Sequence, residues 1–281
     1  MNIERFAVES EVAALLLRRG DLAGARQKLN EALRRDPFDT RARMFLFQLH
    51  CIDAAWEKAM GQLHALARLD GEARMMAFAY GRLIEAERTR EATLSPGGGR
   101  APLLVPSPPW AEDFVAAVEA ELNGEAHQAQ VLRERALEIC PDSPGQADGR
   151  AIAHIYDPDH RFGPLLEIVV GGRWSLAPFA LIETLMIEPP CDLRDQVWAP
   201  ATVRLRDGAA FAGFVPARYP VSRDRSDPNE KLGRTTTWTD TACGLRGQGQ
   251  RIWAFADHTE VSVLSLRRLT LTTPAPVHQE A

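Results

Sequence analysis

Gly20-Asp21-Leu22, then Ala25, Leu29, Ala32-Leu33 and Asp36-Pro37, reads as one helix bracketed by its own start and stop signals. Glycine ends the helix before it, aspartate caps the new one, and proline disfavours helical geometry in the residue ahead of it. Ala25 and Ala32 are small where two helices must approach closely. The pattern returns 34 residues later as Ala54, Trp56, Ala59, Leu63, Leu66 and Asp70. It returns again as Gly124, Ala129, Ala136-Leu137 and Pro141, with two residues of slippage over three periods. A recurrence at that spacing predicts stacked helix pairs.

The period is tetratricopeptide-like, and stacked pairs of that kind present open concave surfaces that mostly bind other proteins. The expectation is an adaptor rather than an enzyme. Working outward, Ile3, Phe6, Val8, Val12, Leu15 and Leu16 have helical spacing, and Thr40 is placed to cap a third helix running through Ile52. A fourth helix runs from about Trp56 to Leu69. A longer fifth spans Glu72 to Thr93, with Met75, Met76, Phe78, Ala79, Leu83 and Ala86 on one apolar face, read as core ahead of the alternative of an adaptable methionine-rich binding surface. Ser95-Pro96-Gly97-Gly98-Gly99 through Pro102, Pro106 and Pro108-Pro109 cannot be helix or central strand, so a long surface crossing is expected. Helices resume over Trp110–Leu122 and Glu125–Ile139.

After about residue 150 the periodicity becomes strand-like. Leu165–Val170, Gly171-Gly172 and Arg173–Leu176 form one predicted hairpin. Thr202–Arg206, Asp207-Gly208 and Ala209–Val215 form another, because Asp-Gly supplies the positive φ angles of a tight turn. Further strands are expected at Leu185–Ile187, Thr235–Thr239, Arg251–Phe255 and Glu260–Leu266. The predicted architecture is α+β multidomain. A helical-repeat domain covers 1–150, and a small, mostly antiparallel β-rich domain covers 151–281, with a disordered tail from about Thr272.

Net charge is −5, and acids outnumber bases in both halves, 23 to 19 before residue 151 and 15 to 14 after it. That balance disfavours nucleic acid as a partner. Cys51, Cys140, Cys191 and Cys243 are scattered and form no C-x-x-C pair, as in reduced cytosolic proteins. The N-terminus lacks a secretory pattern, and no apolar run approaches the ~18 residues of a membrane span. A cytoplasmic protein that does not enter membranes is expected.

Three motifs have chemical readings. Asp157-Pro158-Asp159-His160-Arg161, continuing to Glu167, has the side chains of a metal-dependent hydrolase. It lacks helical ligand spacing, and carboxylate–guanidinium pairing explains the same residues. Cys191 has no defined base partner, so a plain thiol is favoured over a nucleophile. Gly244-Leu245-Arg246-Gly247-Gln248-Gly249-Gln250-Arg251 is not followed by Gly-Lys-Ser/Thr and reads as a flexible turn. No cofactor is implied.

Longer motifs carry a family resemblance. They are Leu46-Phe47-Gln48-Leu49, Trp56 with Gln62-Leu63, and Asp157-x-Asp159-x-Arg161-x-Gly163-Pro164-x-Leu166-Glu167. Others are Pro189-Pro190-x-Asp192-Leu193-Arg194-Asp195-x-Val197-Trp198-Ala199-Pro200, Pro216-Ala217-Arg218-Tyr219-Pro220, Thr237-Trp238 and Gly247-Gln248-Gly249-Gln250-Arg251. Over about residues 10–270 the chain resembles the ImpE (SciE, TagJ) family of type VI secretion accessory proteins. The chain departs from the family where Asp53-Ala54-Ala55 precedes Trp56, since relatives tend to carry a glycine there, and around Ile155-Tyr156.

The resemblance implies a non-enzymatic adaptor. It would bind the N-terminal helix of the small contractile-sheath subunit, of TssB/VipA type, with a link to the ClpV-type disassembly ATPase. An amphipathic helix laid in a groove suits a helical-repeat scaffold. Arg and aromatic residues are common interface anchors. The candidate contact residues are therefore Trp56, which also reads as an inter-helix core residue, and, in the second half with its Arg–Asp–Trp loops expected to be exposed, Asp157, Arg161, Glu167, Trp174, Arg194, Asp195, Trp198, Arg218, Tyr219, Trp238 and Arg251.

Overall fold

The computed structural model describes residues 3–220 and 227–273, with side chains from residue 9 onward. Seven helices come first: α1 (Ile3–Arg18), α2 (Leu22–Arg35), α3 (Thr40–Ile52), α4 (Trp56–Leu69), α5 (Ala73–Thr93), α6 (Pro109–Leu122) and α7 (Ala126–Ile139). Asp21 caps α2 by accepting from the Gly24 amide. At α3 it is Asp39, not Thr40, that caps, accepting from Ala42 at 2.9 Å. A carboxylate held one residue outside the helix reaches the free amides, and it complements the positive helix end.

The turns that close three of these helices share one geometry. After α1, Gly20 donates to Leu17 and Asp21 to Leu16. After α3, Ala54 donates to Cys51 and Ala55 to His50. After α6, Gly124 donates to Glu121 and Glu125 to Ala120. Each is a Schellman turn whose pivot takes positive φ: 82° at Gly20, 52° at Ala54 and 83° at Gly124. The departure from glycine ahead of Trp56 therefore places a side chain in a left-handed conformation.

Strand structure begins at Gly145. An eight-stranded antiparallel sheet runs in the order β2-β1-β13-β6-β7-β8-β4-β5. Its members are β1 (Gly145–Ala147), β2 (Arg150–Ile152), β4 (Leu165–Val170), β5 (Arg173–Pro178), β6 (Ile182–Ile187), β7 (Trp198–Leu205), β8 (Ala210–Pro216) and β13 (Arg268–Leu271). Both predicted hairpins are present, as β4–β5 and β7–β8. A three-stranded sheet joins β12 (Glu260–Ser262), β11 (Ile252–Phe255) and β3 (Ile155–Tyr156), and β9 (Thr236–Thr241) pairs with β10 (Gly244–Gly249).

The β9–β10 hairpin corrects the reading of the glycine-rich segment as a flexible turn. Gly247 lies opposite Trp238, and a Cβ on Gly247 would fall 2.4 Å from the Tyr219 ring. Glycine is there so that an aromatic ring can lie against backbone. The proline-rich crossing also has a defined role. Leu104 donates to Leu176, and Leu176 to Pro102, so the segment covers the outer edge of β5. At the C-terminus, Thr272 donates to Pro144, which keeps the chain ordered past the expected boundary; residues 274–281 of the expected disordered tail lie outside the described residues.

Hydrophobic contact does not stop at residue 150. One cluster runs from Leu29, Phe47 and Trp56 through Phe114 to Phe162, Trp174, Trp198 and Tyr219. Each such large side chain removed from water stabilises by about 1.5–3 kcal/mol. A second cluster, including Ile168, Leu185, Val203 and Trp253, fills the β half. Among the described residues no helix is long and apolar enough to cross a membrane.

Candidate functional site

The polar motifs of the sequence meet inside the molecule. Arg90, on the inner face of α5, donates from Nε and Nη2 to Glu167 of β4 at 2.7 and 2.8 Å, and from Nη1 to Glu87 at 3.1 Å. Arg251 bridges Glu167 and Asp157. Trp174 and Trp198 donate their indole N–H groups to Glu167 and Glu87 at 2.7 and 3.0 Å. Asp157 also accepts from the Tyr219 hydroxyl and the Asp159 amide, both at 2.9 Å. Arg161 forks onto Asp159 at 2.9 and 2.7 Å, the bidentate geometry that makes such pairs strong. Arg218 donates to the main-chain oxygens of Cys51, Ile52 and Lys231. That ties α3 to the β half.

Burial opposes charge throughout this interior. It pushes the Asp157 carboxyl up to about 7 against the pull of Arg251 and brings Arg218 down to about 10. At Glu167 burial acts the same way, but the Arg251 and Arg90 guanidinium groups outweigh it and hold the carboxyl below its ordinary range.

The candidate contact residues are thus mostly interior, which corrects the expectation of exposed Arg–Asp–Trp loops. Trp56, Asp157, Arg161, Glu167, Trp174, Asp195, Trp198, Arg218, Tyr219 and Arg251 are buried, and Arg194 and Trp238 are half-buried. Their common physical reason is mutual satisfaction. Trp56 packs at 5.8 Å, tilted, against Trp198, Arg194 lies 4.4 Å over the Tyr80 ring, and Tyr219 sits 5.5 Å from Trp238. Asp195 closes its own loop by accepting from the Cys191 and Asp192 amides. The acidic loop is held by guanidinium groups and amides, as the ion-pairing reading expected.

What the surface offers is elsewhere. Met75 and Phe78 on α5 are 78% and 65% exposed, so the apolar face read as core is split: Leu83, Ile84 and Ala86 are buried while the first turns project outward. Two adjoining open hollows, of about 570 and 560 Å³, share Phe78, Arg82 and Gly172. One is walled by Leu83, Val169, Pro200 and Phe214, the other by Met60, His64 and Ala77. Gly172 has φ 75° and leaves room for Arg82, whose Nε would lie 2.4 Å from any Cβ placed there. Arg82 in turn donates to Gly171 at 2.8 Å, fixing the helix to the β4–β5 turn.

Sequence reasoning missed Glu87, Arg90 and Arg82. The first two were detectable, since charged residues on the helical stripe that holds Leu83 and Ala86 require buried partners.

The architecture is that of a helix-pair stack locked through charged and apolar contacts to an antiparallel sheet, with an open groove along the join. Residues 149–270 match the family described as ImpE protein. The type VI secretion system accessory component TagJ of Pseudomonas aeruginosa is 34% identical over 259 residues, covering 92% of this chain and 90% of that protein. The chain belongs to the ImpE/TagJ family. An X-ray structure of a Vibrio parahaemolyticus protein has the same fold, with a TM-score of 0.81 at 24% identity, over 93% of this chain and 98% of that one.

Proposed function

We propose that the chain is a non-enzymatic accessory component of a type VI secretion system. It acts in the cytoplasm by binding the N-terminal helix of the small contractile-sheath subunit and linking the sheath to its disassembly ATPase. The observation that carries this reading is the open apolar groove at Phe78, in a chain 34% identical over nearly its full length to an accessory component of that system. A groove of this form suits one amphipathic helix, whose affinity comes from removing its apolar face from water. The acids a hydrolase would use are engaged by Arg161 and Arg251, which favours the adaptor over the enzyme. The test is titration of a fluorescent peptide of the sheath subunit's N-terminal segment with the purified chain. Saturable binding at micromolar concentration is expected, and none at high micromolar concentration would overturn the reading.

A further inference from the structure

The groove has a charge pattern as well as an apolar floor. Arg74, Phe78 and Arg82 stand four residues apart along one face of α5, which sets the two arginine backbone positions about 12 Å apart along the helix axis with Phe78 between them. Both arginines are exposed. Arg74 donates to the Ala67 carbonyl at 3.4 Å and Arg82 to the Gly171 carbonyl at 2.8 Å. Among the described residues neither has a carboxylate within ion-pairing distance. The acids that line the same hollows are differently placed: Glu85 is already paired with Arg88 at 3.0 Å, and Glu188 lies beside Pro200 on the sheet side. On the α5 wall Arg74 and Arg82 are therefore the cations left without an ion-pair partner among the described residues, and the sheet wall carries Glu188.

We infer that the occupant of this groove is an amphipathic helix with two carboxylates seven or eight residues apart flanking its apolar stripe, so that they meet Arg74 and Arg82 while the stripe covers Phe78. This rests on the adaptor reading and adds the rule by which the groove selects its partner. Charges at a groove rim act mainly on partner choice and association rate, and their effect weakens with salt. The exposed Phe78 ring supplies the apolar anchor, with the Arg82 guanidinium 5.9 Å from its centroid.

The test uses the full chain and three labelled peptides: the sheath subunit's N-terminal segment, a designed amphipathic helix of about 20 residues with two glutamates seven apart, and the same helix with lysines there. The glutamate helix is expected to bind about tenfold more tightly than the lysine helix at low salt. Arg74→Glu with Arg82→Glu should invert that preference, and Phe78→Asp should abolish binding of both without changing thermal melting. Equal binding of the two designed helices, or of neither, overturns the inference. So does a sheath peptide whose affinity is unmoved by all three substitutions, although the adaptor reading would survive that result. A glutamate helix that binds as described while the sheath peptide does not supports the groove rule and removes the sheath reading.

Discussion

Arg90 and Glu167 are 77 residues apart in sequence and joined by two hydrogen bonds, and neither side chain reaches solvent in any useful degree. One sits on α5 of the helical half and the other on β4, beside the edge strand of the large sheet. Their pairing, extended by Glu87 and Arg251, makes the junction of the two halves polar at its centre and apolar around it.

Removing one member of that set should be severe. Arg90→Ala leaves Glu167 and Glu87 buried with less compensation, and breaking a buried pair from one side costs about 3–5 kcal/mol. Urea unfolding should show a loss of stability of that size, read from the midpoint and slope. The Arg90→Met, Glu167→Leu double variant should lose less than the sum of its single variants, because no uncompensated charge is left by that pair.

Glu121 sets a pH dependence. It contacts His160 at 2.9 Å, Arg133 at 2.8 Å and Arg246 at 3.1 Å. Burial opposes its ionisation, but these partners win and hold the carboxyl down to about 2. A depressed folded value means that the stabilisation is present above pH 4.5 and is lost as pH falls toward 2. Its partner Arg246 is 37% exposed, so solvent screening discounts the effect to about 1–2 kcal/mol. Glu121→Gln should be less stable than the parent by that amount at pH 7, with the difference shrinking in melts below pH 4.5 and vanishing only near pH 2.

Ala54→Gly should stabilise the chain. Gly20 and Gly124 occupy the equivalent turn positions, and Ala54 alone of the three carries a Cβ at φ 52°. Relief of the left-handed penalty, reduced by the greater freedom of glycine when unfolded, leaves a gain of about 0.5 kcal/mol. A small rise in the urea midpoint with an unchanged slope would register it; a fall would contradict the assignment of the turn.

Gly247→Ala should do the reverse. Its Cβ would lie 2.4 Å from the Tyr219 ring, and forcing the ring away is an overpacking cost of about 1–3 kcal/mol. Near-ultraviolet circular dichroism should report the displaced tyrosine before global unfolding does.

The helical half was legible because its signals are local. Gly20, Asp21 and Pro37 act on the residues beside them, so helix limits followed from chemistry a few positions away. The β4–β5 and β7–β8 hairpins were readable for the same reason. The β9–β10 hairpin was not, since its glycines answer to Tyr219 rather than to a turn. The contact residues were misplaced because Trp, Arg and Asp suit both an interface and a buried network, and only partners 77 and 84 residues apart distinguish them. Phe78 was ranked as core ahead of binding surface because helical spacing does not reveal where a helix outruns its neighbours.

The groove's walls come from distant stretches of chain: Met60 to Glu85 on one side, Val169 to Phe214 on the other. Neither wall exists alone. A nascent chain still lacking Phe214, or a proteolytic fragment cut after the repeats, displays Phe78 on a bare helix with no opposing surface. Recognition at this place is consequently a report on completeness: only a finished molecule has anything to hold with.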